Sequence, residues 1–206
     1  MINIQKRRKN IRLQQYDYRS PGYYYVTLCS HNRACIFGDI AEAEMILSPN
    51  GEIVDSIWQT LPDHFLNVSL DWMQLMPNHL HAIIIIDEQE HALRNDPKPF
   101  TGEPTLGQIV GYWKYQASKA INRNQLRGDF IEVWQPNMFE HIIRNERELQ
   151  AFRTYIQNNP GAWFDDIENP VNLARLREAE ANRNRAAFLP PGTIIQGAGA
   201  GTAPLQ

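Results

Sequence analysis

The segment from Val68 to Ile86 constrains the fold more than any other stretch of the chain. Val68 to Leu75 alternates well enough for a strand, Pro77-Asn78 marks a tight turn, and His79 to Ile86 has strand character again. Together they read as a hairpin. Side chains two apart on a strand share a face, so His79 and His81 project together while Leu80, Ala82, Ile84 and Ile86 point the other way. Two adjacent imidazoles are half of a metal site, because neutral imidazole is a common transition-metal ligand. From spacing alone, the pair reads equally as two histidines hydrogen-bonded in a core or exposed at a strand end.

The flanking sequence supplies the elements that would surround this hairpin. Tyr23 to Leu28, after the turn signal Pro21-Gly22, is aromatic and β-branched and predicts a first strand. Ser48-Pro49 opens a helix whose apolar positions are Ile53, Val54, Ile57, Trp58 and Leu61. Thr105 and Gln108 form a capping box for a second helix, with Leu106, Ile109, Val110, Trp113, Ala117, Ala120 and Ile121 on one face. Phe130 to Trp134 and Met138 to Ile143 are short strand candidates. Asn145 with Glu148 starts a third helix, striped by Leu149, Phe152 and Ile156 and ended by Pro160. The order strand, helix, strand, strand, helix, strand, helix predicts an α+β fold, a ferredoxin-like sandwich with a mainly antiparallel central sheet flanked by helices.

Four segments are expected: a basic arm over 1–20, a core domain over 21–165, a charged helix or extension over 166–189, and a disordered Gly-, Ala-, Pro- and Thr-rich tail over 190–206. A polar, proline-bearing loop is expected over 87–104. The longest apolar run, Ala82 to Ile86, is far too short to span a bilayer, and no apolar signal core follows Lys6, Arg7, Arg8 and Lys9. No membrane role and a cytoplasmic location are therefore expected. With Cys29 and Cys35 alone, a disulfide framework is not the organising idea.

Net charge is −3, but its distribution says more than its sum. Lys6, Arg7, Arg8, Lys9, Arg12, Arg19 and Arg33 crowd the first 33 residues against Asp17 alone. Lys114, Lys119, Arg123 and Arg127 form a second basic set, and Arg144, Arg147 and Arg153 a third. Such clusters can hold phosphates even on a slightly acidic chain, and they are equally common as solvated surface charge.

Tyr155 and Asn159 are four apart, so on a helix they lie one turn from each other on a flank of the Leu149-Phe152-Ile156 stripe. That flank borders the helix–sheet contact, where a polar group can reach into a cleft. The amide oxygen of Asn159 could act as a ligand near the helix end; the plainer reading is an amphipathic core-edge tyrosine and a capping asparagine. His141 is a further candidate, for the site or for a buried backbone group. Cys29, His31 and Cys35 lack the matching second pair that a structural zinc site needs. Ser30 lacks a nucleophile-elbow context, and no phosphate-cradling P-loop is present.

Taken together, these residues resemble a known family. Met76-Pro77-Asn78-His79-Leu80-His81 resembles the histidine-hydrophobic-histidine motif of HUH endonucleases. Trp134-Gln135-Pro136, Glu140-His141-Ile142-Ile143-Arg144-Asn145 and Tyr155-Ile156-Gln157-Asn158-Asn159-Pro160, in that order, are similar to the second half of REP-associated tyrosine transposases. The resemblance covers about residues 15–170. It implies that Tyr155 attacks a DNA phosphodiester, giving a 5′-phosphotyrosine link. It also implies that His79, His81 and Asn159 hold a divalent metal, Mg²⁺ or Mn²⁺. Related insertion-sequence transposases carry glutamine where this chain has Asn159; asparagine fits the REP-associated branch. Single-stranded or hairpin DNA is the implied partner, with Arg7, Arg8, Lys119, Arg123 and Arg144 candidates to follow its backbone. Monomer and homodimer are both compatible with the family. Two rival readings are a non-catalytic nucleic-acid-binding module and a histidine-dependent nucleotide hydrolase, the latter weakened by Ile83 in place of a third alternating histidine.

Overall fold

A computed structural model of the chain describes residues 13, 15–88, 102–125, 130–166 and 168–187. Arg7 and Arg8, most of the expected 87–104 loop, Arg127 and the 190–206 tail lie outside the described residues.

Six strands and five helices are present in this part: β1 (Gly22–Cys29), β2 (Gly38–Ala41), β3 (Glu44–Leu47), α1 (Pro49–Gln59), α2 (Leu61–His64), β4 (Val68–Met76), β5 (His79–Ile86), α3 (Leu106–Arg123), β6 (Phe139–Ile143), α4 (Glu146–Ala162) and α5 (Pro170–Ala187). The main sheet has the order β4-β5-β1-β6, antiparallel at every pairing. With a helix after β1 and another after β5, this is the α+β arrangement that the element order predicts. Tyr25 faces Ile83, Thr27 faces His81 and Cys29 faces His79 across β1 and β5. β5 is therefore an interior strand, and seven of its eight residues are buried.

The alternation of side chains divides the core into two layers. Tyr24, Val26, Leu28, Leu80, Ala82, Ile84 and Ile86 point into a large layer with Val54, Trp58, Ile109, Trp113 and Ile121 of α1 and α3. Tyr25, Ile83 and Ile143 point the other way and meet Leu149, Phe152 and Ile156 of α4. The helix starts follow their sequence signals: Ser48 accepts from Gly51 N at 3.2 Å, Thr105 and Gln108 form the reciprocal box, and Asn145 accepts from Glu148 N at 2.9 Å.

Several expectations need correction. Phe130–Trp134 is not a strand. Its one ladder contact is the bridge Ser30–Trp134, and Asn122 of α3 holds both the N–H (2.8 Å) and the carbonyl (3.1 Å) of Ile131. A side chain has taken the backbone groups that a neighbouring strand would need. The β2–β3 ribbon has no counterpart in the sequence reading. Its turn residues Glu42 and Ala43 have φ of 51° and 63°, a left-handed turn without the Asn-Gly that advertises one. Pro160 does not end α4, which continues to Ala162. The charged helix expected within 166–189 begins at Pro170, after Asn169 accepts from Val171 N at 3.0 Å. The end of the expected arm is packed: Tyr18 O accepts from Leu106 N at 3.0 Å, and the Tyr16 and Tyr24 hydroxyls lie 3.0 Å apart.

Candidate active site

The β4–β5 turn places Asn78, His79 and His81 at the end of the sheet that α4 covers last. Asn78 and His79 are fully buried and His81 is 4% exposed. Their imidazoles meet tip to tip, with the two Nε2 atoms 3.0 Å apart. Each ring is held from behind. His79 Nδ1 lies 2.8 Å from Asn78 Oδ1, and the Asn78 amide nitrogen donates to Arg33 O (3.2 Å) and Glu168 O (2.8 Å). Because that NH₂ is committed to carbonyls, Asn78 Oδ1 is the acceptor and His79 Nδ1 carries the hydrogen. The Nε2 lone pair of His79 is thereby aimed at His81. His81 Nδ1 lies 2.7 Å from the Tyr25 hydroxyl and 3.0 Å from Thr27 Oγ1. Burial lowers both imidazoles: His81 to about 3, and His79 well below its ordinary value with help from His81 and Arg33. The pair is neutral at physiological pH.

α4 brings Tyr155 to the same side of the sheet. Its ring centroid is 5.3 Å from that of His81 and 6.4 Å from that of Tyr25, edge-on in both cases. Burial, and the nearby Asp166 carboxylate, raise the Tyr155 hydroxyl above its ordinary value, while the neighbouring Asn159 and Tyr25 side chains oppose the rise. Asn159, one turn later, is 4% exposed and donates from its amide to Tyr155 O at 2.8 Å. Tyr155 and the histidine pair thus meet within one chain, with Asn159 one turn further along the same helix.

Other residues of the site left no clear mark in the sequence. Asp166 follows the short turn Trp163–Asp165, and its Oδ2 is 3.8 Å from His79 Nε2. Desolvation raises it to about 6 against the opposing pull of Arg33. Trp163 packs 6.0 Å from the His79 ring. Tyr25 stacks on Phe152 at 4.4 Å as well as touching His81. Only the strand register, Thr27 opposite His81, could have brought Tyr25 and Thr27 to attention.

The remaining candidates fall elsewhere. His141 bonds Glu148 Oε1 at 3.1 Å and belongs to the start of α4 rather than to the histidine pair. His31 pairs with Glu132 at 2.9 Å, and Cys29 and Cys35 are free thiols. Lys119 and Arg123 are exposed on α3, in the opposite layer from Tyr155, with Lys119 lying 5.7 Å over the Tyr115 ring. Arg144 is exposed just before the start of α4. Among the described residues, no group of three His, Cys, Asp or Glu side chains is arranged to hold a metal. No helix among them is long and apolar enough to cross a membrane.

No family model matches the chain. Among solved structures, the REP-associated tyrosine transposase bound to a REP hairpin aligns with a TM-score of 0.49 at 16% identity, covering 72% of each chain. An uncharacterized protein of Haemophilus influenzae (strain ATCC 51907 / DSM 11121 / KW20 / Rd) is 39% identical over 167 residues, 77% of this chain and 91% of that protein. At that identity and coverage, this chain belongs to the same family as the Haemophilus influenzae protein.

Proposed function

We propose that this protein is a tyrosine transposase that nicks and rejoins single-stranded or hairpin DNA through Tyr155. The observation that carries the reading is the 5.3 Å approach of the Tyr155 ring to His81, itself 3.0 Å from His79, on one face of one sheet. The ordered motifs from Met76 to Pro160 support it independently.

A divalent cation fits the donor set. The two Nε2 atoms, 3.0 Å apart, would together hold it. Both rings are neutral and braced at Nδ1, as ligating histidines are. With no group of three His, Cys, Asp or Glu among the described residues, the further protein donor would be the amide oxygen of Asn159. When bound, Mg²⁺ or Mn²⁺ would supply charge stabilisation for an anionic phosphodiester.

The chain's own residues account for the rest. The Tyr155 oxygen attacks phosphorus and gives up its proton. The bond to the 3′-oxygen breaks, and that oxygen takes up a proton to leave as a 3′-hydroxyl. The 5′-phosphate stays on Tyr155. One phosphoester has replaced another, so rejoining runs the same exchange backwards and requires no nucleotide cofactor. The neighbouring Asn159 and Tyr25 side chains favour the ionised phenol against the burial that opposes it.

The test is adduct formation on end-labelled single-stranded and hairpin DNA with Mn²⁺, read on a denaturing gel. Wild type should form a protein–DNA adduct, and Tyr155→Phe should bind DNA but form none. An adduct in the Phe variant, or none in wild type across the DNA panel, would overturn the assignment.

A further inference from the structure

Where α4 carries a nucleophile, its roll about its own axis decides where that nucleophile points. A phenol oxygen stands about 8 Å from the helix axis, so a roll of about 20° carries it about 3 Å. An apolar stripe resists such a roll weakly, because Leu149, Phe152 and Ile156 lie along one line of contact. Polar ties on the two flanks resist it directly.

Both ties are present. On the flank that holds Tyr155, Glu148 accepts from Arg144 N at 2.8 Å and bonds His141 at 3.1 Å. On the opposite flank, Arg153 meets Asp71 as a two-pronged ion pair: Nε lies 3.1 Å from both carboxylate oxygens and one terminal nitrogen 2.7 Å from Oδ2. Planar guanidinium–carboxylate pairing of this kind fixes orientation as well as distance. The Asp71 side chain is 7% exposed and Arg153 30%, so water screens the pair poorly. Asp71 reaches Arg153 from a break in the β4–β5 ladder, where the register shifts between Leu70 and Met73. Bulges of this kind re-aim a side chain out of regular alternation. Arg153 stands two residues before Tyr155, and its partner is 82 residues away in sequence.

We propose that Asp71 and Arg153 form a positioning pair that sets the roll of α4 and so aims the Tyr155 hydroxyl. Neither touches DNA or a reacting atom. This rests on Tyr155 being the nucleophile, and the experiment separates the two claims.

Single-turnover adduct formation at saturating DNA is compared for wild type, Asp71→Asn, Arg153→Gln and Arg153→Lys, alongside DNA affinity and Mn²⁺ affinity. The Asn and Gln variants should lose about 10- to 100-fold in rate, the scale expected for a small misplacement of a reacting group. DNA and Mn²⁺ affinity should move less than twofold. Arg153→Lys keeps the charge but not the fork; it should fold where the others fail to and lose a smaller, measurable share of rate. A second readout needs no DNA. With 3-fluorotyrosine incorporated, Mn²⁺ broadens the Tyr155 fluorine resonance according to distance, and the broadening should weaken in all three variants. Unchanged rates and unchanged broadening overturn the proposal, as does a rate loss matched by an equal loss of Mn²⁺ affinity. Wild-type broadening without any adduct would instead indict the transposase reading while leaving the aim of the tyrosine measured.

Discussion

The two faces of the central sheet are built from the same strands and do different work. On the α1–α3 face, every β5 residue in contact is aliphatic, and Trp58 and Trp113 pack at a tilt across the helices at 4.8 Å. One buried indole nitrogen there, Trp113 Nε1, is satisfied locally by Val54 O at 3.2 Å. On the α4 face, the same strand presents Ile83 and then two buried imidazoles, answered by two phenols, two amides and a carboxylate. A period of two is thus enough to put an aliphatic layer on one side and a buried polar cluster on the other. The polar side tolerates burial because almost every group there has a partner.

The largest effect should come from the apolar face. Ile84 is fully buried between β-strands and helices, so Ile84→Ala should cost about 2–5 kcal/mol in urea unfolding. Tyr155→Phe, which deletes only a hydroxyl on the other face, should cost less than about 1 kcal/mol. Equal costs would erase the division of labour between the faces.

The histidine pair sharpens the comparison through pH. Folded His79 and His81 are neutral far below the ordinary imidazole range, whereas unfolded they take up protons near pH 6.5. The unfolded state therefore binds more protons, and stability falls as pH drops below about 6.5, by about 1.4 kcal/mol per pH unit for each imidazole. Asp166, raised to about 6, works in the opposite direction: its share is fully present below its ordinary value and is lost as pH rises through about 6. Two imidazoles against one carboxylate leave acid destabilisation as the net outcome. Urea titrations in EDTA from pH 7 to pH 5 should show it, and His79→Gln/His81→Gln should flatten the slope. A slope unchanged in the double variant would place the titrating groups elsewhere.

What the sequence disclosed follows from the range of each interaction. The histidine pair, the Tyr155–Asn159 spacing and three helix starts are encoded within four residues of chain, and period alone reveals them. That Leu80, Ala82, Ile84 and Ile86 oppose the histidines was legible for the same reason. Tyr25, Thr27, Asn78 and Asp166 were not, because their roles depend on strand register and on where a turn folds back. Asp71 was hidden by a ladder irregularity that no local pattern marks. Pro160 misled because the residue before a proline usually leaves the helix, yet here a final turn survives with Asn159 buried inside it. Lys119 and Arg123 are a different case: charge clusters carry no information about which layer their helix joins.

The smallest effect should be theirs. Lys119 and Arg123 are exposed on α3, and the whole thickness of the sheet separates that layer from Tyr155. If DNA approaches the α4 face, Lys119→Ala/Arg123→Ala should change DNA affinity less than about threefold and lower the salt slope by less than about 1, since neither removed charge neutralises a phosphate. Arg144→Ala, just before the first turn of the tyrosine helix, should weaken binding more. A slope lowered by about 2 in the α3 variant would mean that the strand wraps the sheet and that both faces, not one, belong to the interface.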